Sequence, residues 1–280
     1  MRILVTGANG YIGQGVVKNL LDRKHEVIAT DFSLNHVDQR ADLVIGNIFD
    51  TTNPYMTYDK PDILLHLAWR DGFKHASPKH LLDLPKHFDF IRNAVESGIN
   101  RICIMGSMHE IGFYEGCVKE DAPTNPQSLY GISKNALRQS VSVLQKDYQF
   151  EFLWLRGFYI VGNNKYGCSV FSKLEAAAEK GQKTFPFTSG ENQYDFVDYD
   201  IFCNQIAAAT CQREINGIVN CCSGKPMKLK DRMEQFILDN HFEIELDYGK
   251  FPDRPYDSKA IWGNNERITQ ILQNEGSGHE

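Results

Sequence analysis

Met1-Arg-Ile-Leu-Val-Thr-Gly-Ala-Asn-Gly-Tyr-Ile-Gly13 decides the fold of this chain. Ile3, Leu4 and Val5 form an apolar run too short for a helix and β-branched enough for a buried parallel strand. Thr6 to Gly10 reads as a turn. From Gly13 onward, Val16, Val17, Leu20 and Leu21 recur at helical spacing. A strand, a glycine turn and a helix present free backbone N–H groups at a helix N-terminus, where they and the helix dipole attract a phosphate. Glycine is needed where the backbone bends sharply, approaches a pyrophosphate or packs helix on strand. The spacing Gly7, Gly10, Gly13 departs from the common dinucleotide fingerprint, and alone it also fits a plain tight turn.

The neighbouring sequence strengthens the phosphate reading. His25 to Thr30 reads as a second strand ending at Asp31. An acid at that distance accepts hydrogen bonds from an adenosine ribose, although a turn or helix cap would also use one. Phe32-Ser33-Leu34-Asn35 offers no Arg or Lys for a 2′-phosphate, so NAD is favoured over NADP, with Asp31 and Phe32 as cofactor contacts.

The chain has 280 residues, enough for one large α/β domain with a smaller appendage. At 42% hydrophobic and 24% charged, its composition is ordinary for a soluble globule. A formal net charge of -6 and the lack of a long basic run argue against nucleic-acid binding. No apolar stretch has the length of a membrane span, and the first residues read as a core strand and not a signal peptide, so a cytoplasmic protein is expected. Seven cysteines, an odd number without a CxxC pair, read as reduced and mostly buried thiols. His75, His80 and His87 lie close in sequence, but no metal site is read from them.

Further strands are expected at 42–46, 61–68, 101–105 and 152–156, and a polar turn at 47–50 could take an adenine. Leu81 to Ser97 reads as a helix that Pro85 interrupts or begins. Ser128 to Tyr148 reads as a long helix. The order βαβα with near-continuous apolar strands argues a Rossmann-type, doubly wound parallel sheet covered by helices on both faces. Residues 1–160 would form the NAD-binding domain, and 161–280 a smaller C-terminal substrate-binding lobe with some elements returning to the main sheet. Within that lobe, helices are expected at 170–180, 201–210 and 229–240, and strands at 192–200 and 218–221. The polar tail 276–280 is expected to fray.

Ligands in open parallel sheets bind beyond the carboxyl ends of the strands. Ser107 ends the fifth strand there. Tyr130 and Lys134 lie four apart on one helix, so their side chains share a face. A tyrosine is a poor base at its ordinary pKa near 10. A nearby ammonium and an oxidised nicotinamide would stabilise the phenolate. Ser107 could hold a substrate hydroxyl or carbonyl. Ser107, Tyr130 and Lys134 therefore suit proton transfer at a carbon that exchanges a hydride with NAD.

Thr6-Gly-Ala-Asn-Gly-Tyr-Ile-Gly13, Asp31, His66-Leu-Ala68, Ser107 and Tyr130-Gly-Ile-Ser-Lys134 together resemble an extended short-chain dehydrogenase/reductase. The nearest branch is the NAD-dependent epimerase/dehydratase family, which acts on nucleotide-activated sugars. Leu155 to Gly162, Asp195 to Asp200, Asn220 to Lys225 and Arg254 to Asp257 agree, so the resemblance covers nearly the whole chain. It implies that Gly7, Gly10, Tyr11, Ile12 and Gly13 hold the NAD pyrophosphate and that Asn47 and Ile48 flank the adenine. It places Leu67, Ala68 and Trp69 along the cofactor's inner side and Lys134 on the nicotinamide ribose. Arg254 matches the arginine that grips the substrate diphosphate, with a plain surface arginine as the alternative. A homodimer through Leu81–Ser97 and Ser128–Tyr148 is expected by the same analogy.

Departures from the family pattern fall on the substrate side. Where 4,6-dehydratases carry an acidic pair, this chain has Met108 and His109, so elimination of water is not expected. Tyr194 stands for a usual arginine, Tyr159 for a usual asparagine and Trp69 for a commonly small residue. Met108, His109, Tyr159, Tyr194 and Arg254 are the candidate substrate contacts. His109 is either a second proton donor or a loop histidine. The reading is oxidoreduction at C4 of a nucleotide sugar: a 4-epimerase first, a 4-ketoreductase as the alternative, and a non-catalytic NAD sensor as the remote rival.

Overall fold

The computed structural model describes residues 1–162, 169–252 and 258–277. In chain order its strands and helices are β1 (Arg2–Thr6), α1 (Tyr11–Asp22), β2 (Glu26–Asp31), β3 (Asp42–Ile45), the single turn α2 (Pro54–Thr57), β4 (Ile63–His66), α3 (Lys79–Ser97), β5 (Arg101–Ser107) and β6 (Gly116–Val118). Then come α4 (Leu129–Asp147), β7 (Glu151–Gly157), β8 (Tyr159–Val161), α5 (Val170–Glu179), β9 (Thr184–Pro186), β10 (Gln193–Asp198) and α6 (Tyr199–Cys211). The last are β11 (Gly217–Cys221), β12 (Pro226–Lys228), α7 (Leu229–Asp239), β13 (Glu245–Asp247), β14 (Ala260–Gly263) and α8 (Glu266–Ser277).

Seven strands form one parallel sheet in the order β3-β2-β1-β4-β5-β7-β11. Because successive strand side chains point to opposite faces, each strand feeds two cores. Ile3, Val5, Ala29, Ile63, Leu65 and Leu153 pack on the face covered by α1, α6 and α8. Leu4, Ile28, Leu64, Ile102, Phe152 and Trp154 pack on the other, under α3 and α4. The chain winds outward from β1 to β3, then crosses to β4, so the crevice where strand order reverses lies between β1 and β4.

Residues beyond 161 divide between two places. β11, α6 and α8 join the main sheet and its core. α5, α7 and their neighbours surround a separate cluster of Phe171, Leu174, Phe187, Met233 and Phe236. A small sheet, β12-β10-β14-β6, with β8 paired to β10, lies between the strand ends and this cluster. Buried Asp195 ties it together, its two oxygens accepting from the N–H groups of Ser223, Gly224 and Gly263 and from the Ser223 hydroxyl.

Three local expectations differ from the structure. Helix α1 begins at Tyr11, not Gly13, with Gly10 as its N-cap. Helix α3 begins at Lys79 and runs through Pro85. The proline deprives the Leu81 carbonyl of its partner, and Leu81 is exposed to water that can replace it. Helix α8 carries Gly276 and Ser277 of the tail expected to fray, because Ile268 and Ile271 anchor it to the main core. Ser128 caps α4 as its sequence suggests, accepting from the Gly131 N–H at 3.1 Å.

Candidate active site

The turn after β1 and the helix that follows need glycine at two positions for steric reasons. Gly7 has φ +70°, and a Cβ there would lie 2.6 Å from the Ala68 nitrogen at the end of β4. On Gly13 a Cβ would lie 2.2 Å from the Gly7 carbonyl oxygen. Gly10 N–H bonds back to the Gly7 carbonyl at 3.1 Å, closing the turn. The first turn of α1 therefore offers N–H groups of Tyr11, Ile12 and Gly13 at a surface free of side-chain bulk, a cradle that fits a dinucleotide pyrophosphate.

Asp31 at the end of β2 accepts from the Asn9 N–H at 3.0 Å and the Phe32 N–H at 2.8 Å. Its carboxylate thereby braces the glycine turn at the carboxyl end of β2, where an acid would meet an adenosine ribose. The Phe32 side chain is 74% exposed. Asn47 caps a short 3₁₀ turn, and Ile48 is buried in the second core. NAD, when bound, exchanges a hydride with the substrate; these groups would hold its adenosine and pyrophosphate.

Ser107, Tyr130 and Lys134 meet at the carboxyl end of β5. The Lys134 Nζ donates to the Met105 carbonyl at 2.8 Å and lies 3.9 Å from the ring centroid of Trp69. Burial pulls its pKa down to about 7, with the Glu110 carboxylate opposing. Burial also pushes the Tyr130 phenol up to about 12, against a hydrogen bond with Ser107 that lowers it. The Ser107 Oγ accepts from the His109 N–H at 3.3 Å.

Aromatic and imidazole rings enclose Tyr130. His75 stacks on it at 5.1 Å between centroids and 10° between planes, and His80, His109 and Trp69 lie at 5.3, 6.0 and 6.3 Å. Tyr159 extends the wall from His109 at 6.4 Å, and Tyr194 lies 4.7 Å beyond it. Burial holds the His109 pKa down at about 3, helped by His75, so this imidazole is neutral at neutral pH. Met108 is buried in a cluster with Ile111, Val118, Phe158, Cys222 and Ile261, beneath Tyr159 and Tyr194. Arg254 lies outside the described residues.

The sequence reading overlooked several contributors. His75 and His80 come to Tyr130 from the loop and helix start after Trp69, and their short spacing was the only signal. Glu110 is fully buried, accepting from Trp154 at 2.9 Å, Arg156 at 2.7 Å and Arg138 at 3.2 Å. That carboxylate is committed to structure and unavailable to a substrate. Beneath Trp69, His66 bonds Thr6 at 2.8 Å and His87 at 2.9 Å.

A sequence model of the NAD dependent epimerase/dehydratase family matches residues 3–222. The dTDP-6-deoxy-L-talose 4-dehydrogenase (NAD(+)) of Aggregatibacter actinomycetemcomitans is 41% identical over 269 residues, covering 94% of this chain and 99% of that protein. A UDP-N-acetylglucosamine 4-epimerase from Methanobrevibacter ruminantium M1 matches the fold with TM-score 0.83 at 19% identity, over 96% of this chain and 91% of that one. The UDP-glucose 4-epimerase of Thermus thermophilus, solved with NAD, matches with TM-score 0.79 at 20% identity, over 96% of this chain and 92% of that one.

Proposed function

This chain belongs to the NAD dependent epimerase/dehydratase family, and we propose that it interconverts the C4 carbonyl and hydroxyl of a dTDP-activated 6-deoxyhexose, working as a 4-dehydrogenase or, in reverse, a 4-ketoreductase. It is an enzyme, and NAD is its cofactor. The observation that carries the C4 reading is the enclosure of Tyr130. Stacked on His75 and hydrogen-bonded with Ser107, the phenol is held protonated, as a group must be that donates to a C4 oxygen during reduction. In the oxidative direction, Tyr130 takes the C4 hydroxyl proton, and the Lys134 ammonium supports the phenolate. Ser107 orients the oxygen.

The wall of Trp69, His75, His109 and Tyr159 suits a sugar whose C6 is a methyl group, as in the substrate named for the 41% identical relative. The 4-epimerase, which the sequence alone puts first, becomes the second reading beside the 41% identical 4-dehydrogenase. Its support is the bond of the Tyr11 hydroxyl to the Gly162 carbonyl at 2.6 Å, which ties the glycine turn to the end of β8 and would help to retain a cofactor there. We further propose a homodimer through α3 and α4. Among the described residues no helix is long and apolar enough to cross a membrane.

The test is incubation with dTDP-4-keto-6-deoxyhexoses and NADH, beside a panel of nucleotide sugars without added cofactor. Stoichiometric NADH consumption supports the reductase. Turnover without cofactor supports the epimerase. Neither outcome with any sugar sinks the C4 reading.

A further inference from the structure

One rung of α1 carries a side chain from another helix. The Gly15 N–H donates to the Tyr199 hydroxyl at 3.0 Å, and that hydroxyl donates to the Tyr11 carbonyl at 2.8 Å. In an α-helix these two groups are partners of one another, and α1 is helical from Tyr11 onward. The phenol of α6 bridges them from the side. Gly15 makes room for it: a Cβ there would lie 2.7 Å from the Tyr199 oxygen and 2.6 Å from the Cys203 sulfur.

Cys203 follows Tyr199 by one helical turn and acts on the next peptide. Its Sγ lies 3.8 Å from the Ile12 carbonyl oxygen. Burial pushes this thiol up to about 12, so it keeps the proton that a donor needs. The two carbonyls belong to the peptide units that end in the Ile12 and Gly13 N–H groups. Those N–H groups lack intrahelical partners and face the cradle. A donor on the carbonyl of a peptide polarises it and strengthens the N–H at its other end. Tyr11 is gripped a third time, since its hydroxyl bonds the carbonyl of Gly162, at the end of β8. Gly162 has φ +108°, and a Cβ on it would lie 3.2 Å from the Tyr199 Cβ.

We propose that Tyr199 is a positioning residue for NAD: its hydroxyl, seconded by the Cys203 thiol, sets the geometry and donor strength of the pyrophosphate-binding turn of α1. This rests on NAD binding at that turn and not on the C4 reaction. The phenol thereby links the α6 segment to cofactor affinity.

The experiment titrates NADH into the full chain, wild type, Tyr199→Phe and Cys203→Ala, without sugar, and follows amide exchange at Ile12 and Gly15. Tyr199→Phe should raise the NADH dissociation constant about fivefold or more, the scale of one hydrogen bond, and speed Gly15 exchange. Cys203→Ala should raise it less. Faster Gly15 exchange with unchanged affinity would mean that the hydroxyl only welds two helices, and would overturn the proposal. Unchanged exchange would overturn it as well. Should Tyr199→Phe not fold, Gly15→Ala displaces the hydroxyl from the opposite side, and wild-type NADH affinity there counts against the proposal. Normal NADH binding without turnover of any sugar would sink the C4 reading and leave this one standing.

Discussion

The Trp69 indole N–H donates to Nδ1 of His80 across 3.0 Å, while Nε2 of the same imidazole bonds the Lys74 carbonyl at 3.0 Å. An indole only donates and a carbonyl only accepts, so the pattern assigns the His80 proton to Nε2. The indole is thereby pinned. It stacks on His87 at 4.5 Å and presents its face to the Lys134 ammonium. A histidine in the first turn of α3 thus braces the platform over which the Lys134 ammonium sits.

Tyr130→Phe removes one oxygen and keeps the ring stacked on His75. Turnover should fall by roughly two to four orders of magnitude, the usual worth of a positioned acid or base, while fold and NADH affinity persist. Lys134→Met should also weaken NADH binding and move the pH optimum for oxidation upward. Steady-state kinetics against pH, with separate cofactor titration, checks both. A Tyr130→Phe enzyme keeping more than about a tenth of wild-type turnover would transfer the role to His109.

Asp31 accepts from the Asn9 and Phe32 N–H groups, so its carboxylate is held in place where we propose that the adenosine ribose binds. A 2′-phosphate there meets a fixed carboxylate. NADH should bind more tightly than NADPH, and Asp31→Asn should narrow the gap. Equal affinities in the wild type would remove Asp31 from this role.

Glu110→Gln should destabilise the fold. Arg156 and Glu110 are both fully buried, and neutralising the acid leaves the guanidinium without its counter-charge. Breaking such a pair costs about 3–5 kcal/mol. Urea unfolding measures it, and a loss under about 1 kcal/mol, the scale of an exposed pair, would show that the ion pair is dispensable.

Three buried imidazoles should make the fold acid-sensitive. Burial holds His66 well below its ordinary range and His87 and His109 at about 3, with Lys134 adding to the effect on the first two. Below about pH 6.5 the unfolded chain takes up protons that the folded one refuses, so stability is full above that value and falls as pH drops toward 3. The slope should approach about 1.4 kcal/mol per pH unit for each imidazole. Denaturation midpoints that stay level between pH 7 and 5 would contradict it.

Leu82 on α3 and Val143 on α4 are 65% and 56% exposed on two helices that pack side by side. A second copy related by a two-fold axis would cover them. Light scattering should find a dimer at micromolar concentration, and Leu82→Glu with Val143→Glu should shift it toward monomer. A wild-type monomer under those conditions rules the dimer out.

Features under local chemical control can be read from the chain alone. The strand, glycine turn and helix of residues 1–22 are legible because a turn that admits no side chain leaves little choice but glycine. Asp31 follows from strand length, and the shared face of Tyr130 and Lys134 from helical periodicity. Strands β6, β8, β12 and β14 are three or four residues long and form only because distant partners pair with them, so no local pattern announces them. The same holds at the site. Only packing brings His75 onto Tyr130, commits Glu110 to Arg156 and Arg138, and sets the Tyr199 hydroxyl on a rung of α1. Each is a contact between residues far apart in the chain, set by how the helices and loops pack on the sheet. Sequence spacing carries the period of a helix or strand, and it carries no distance between elements that only the packed core brings together.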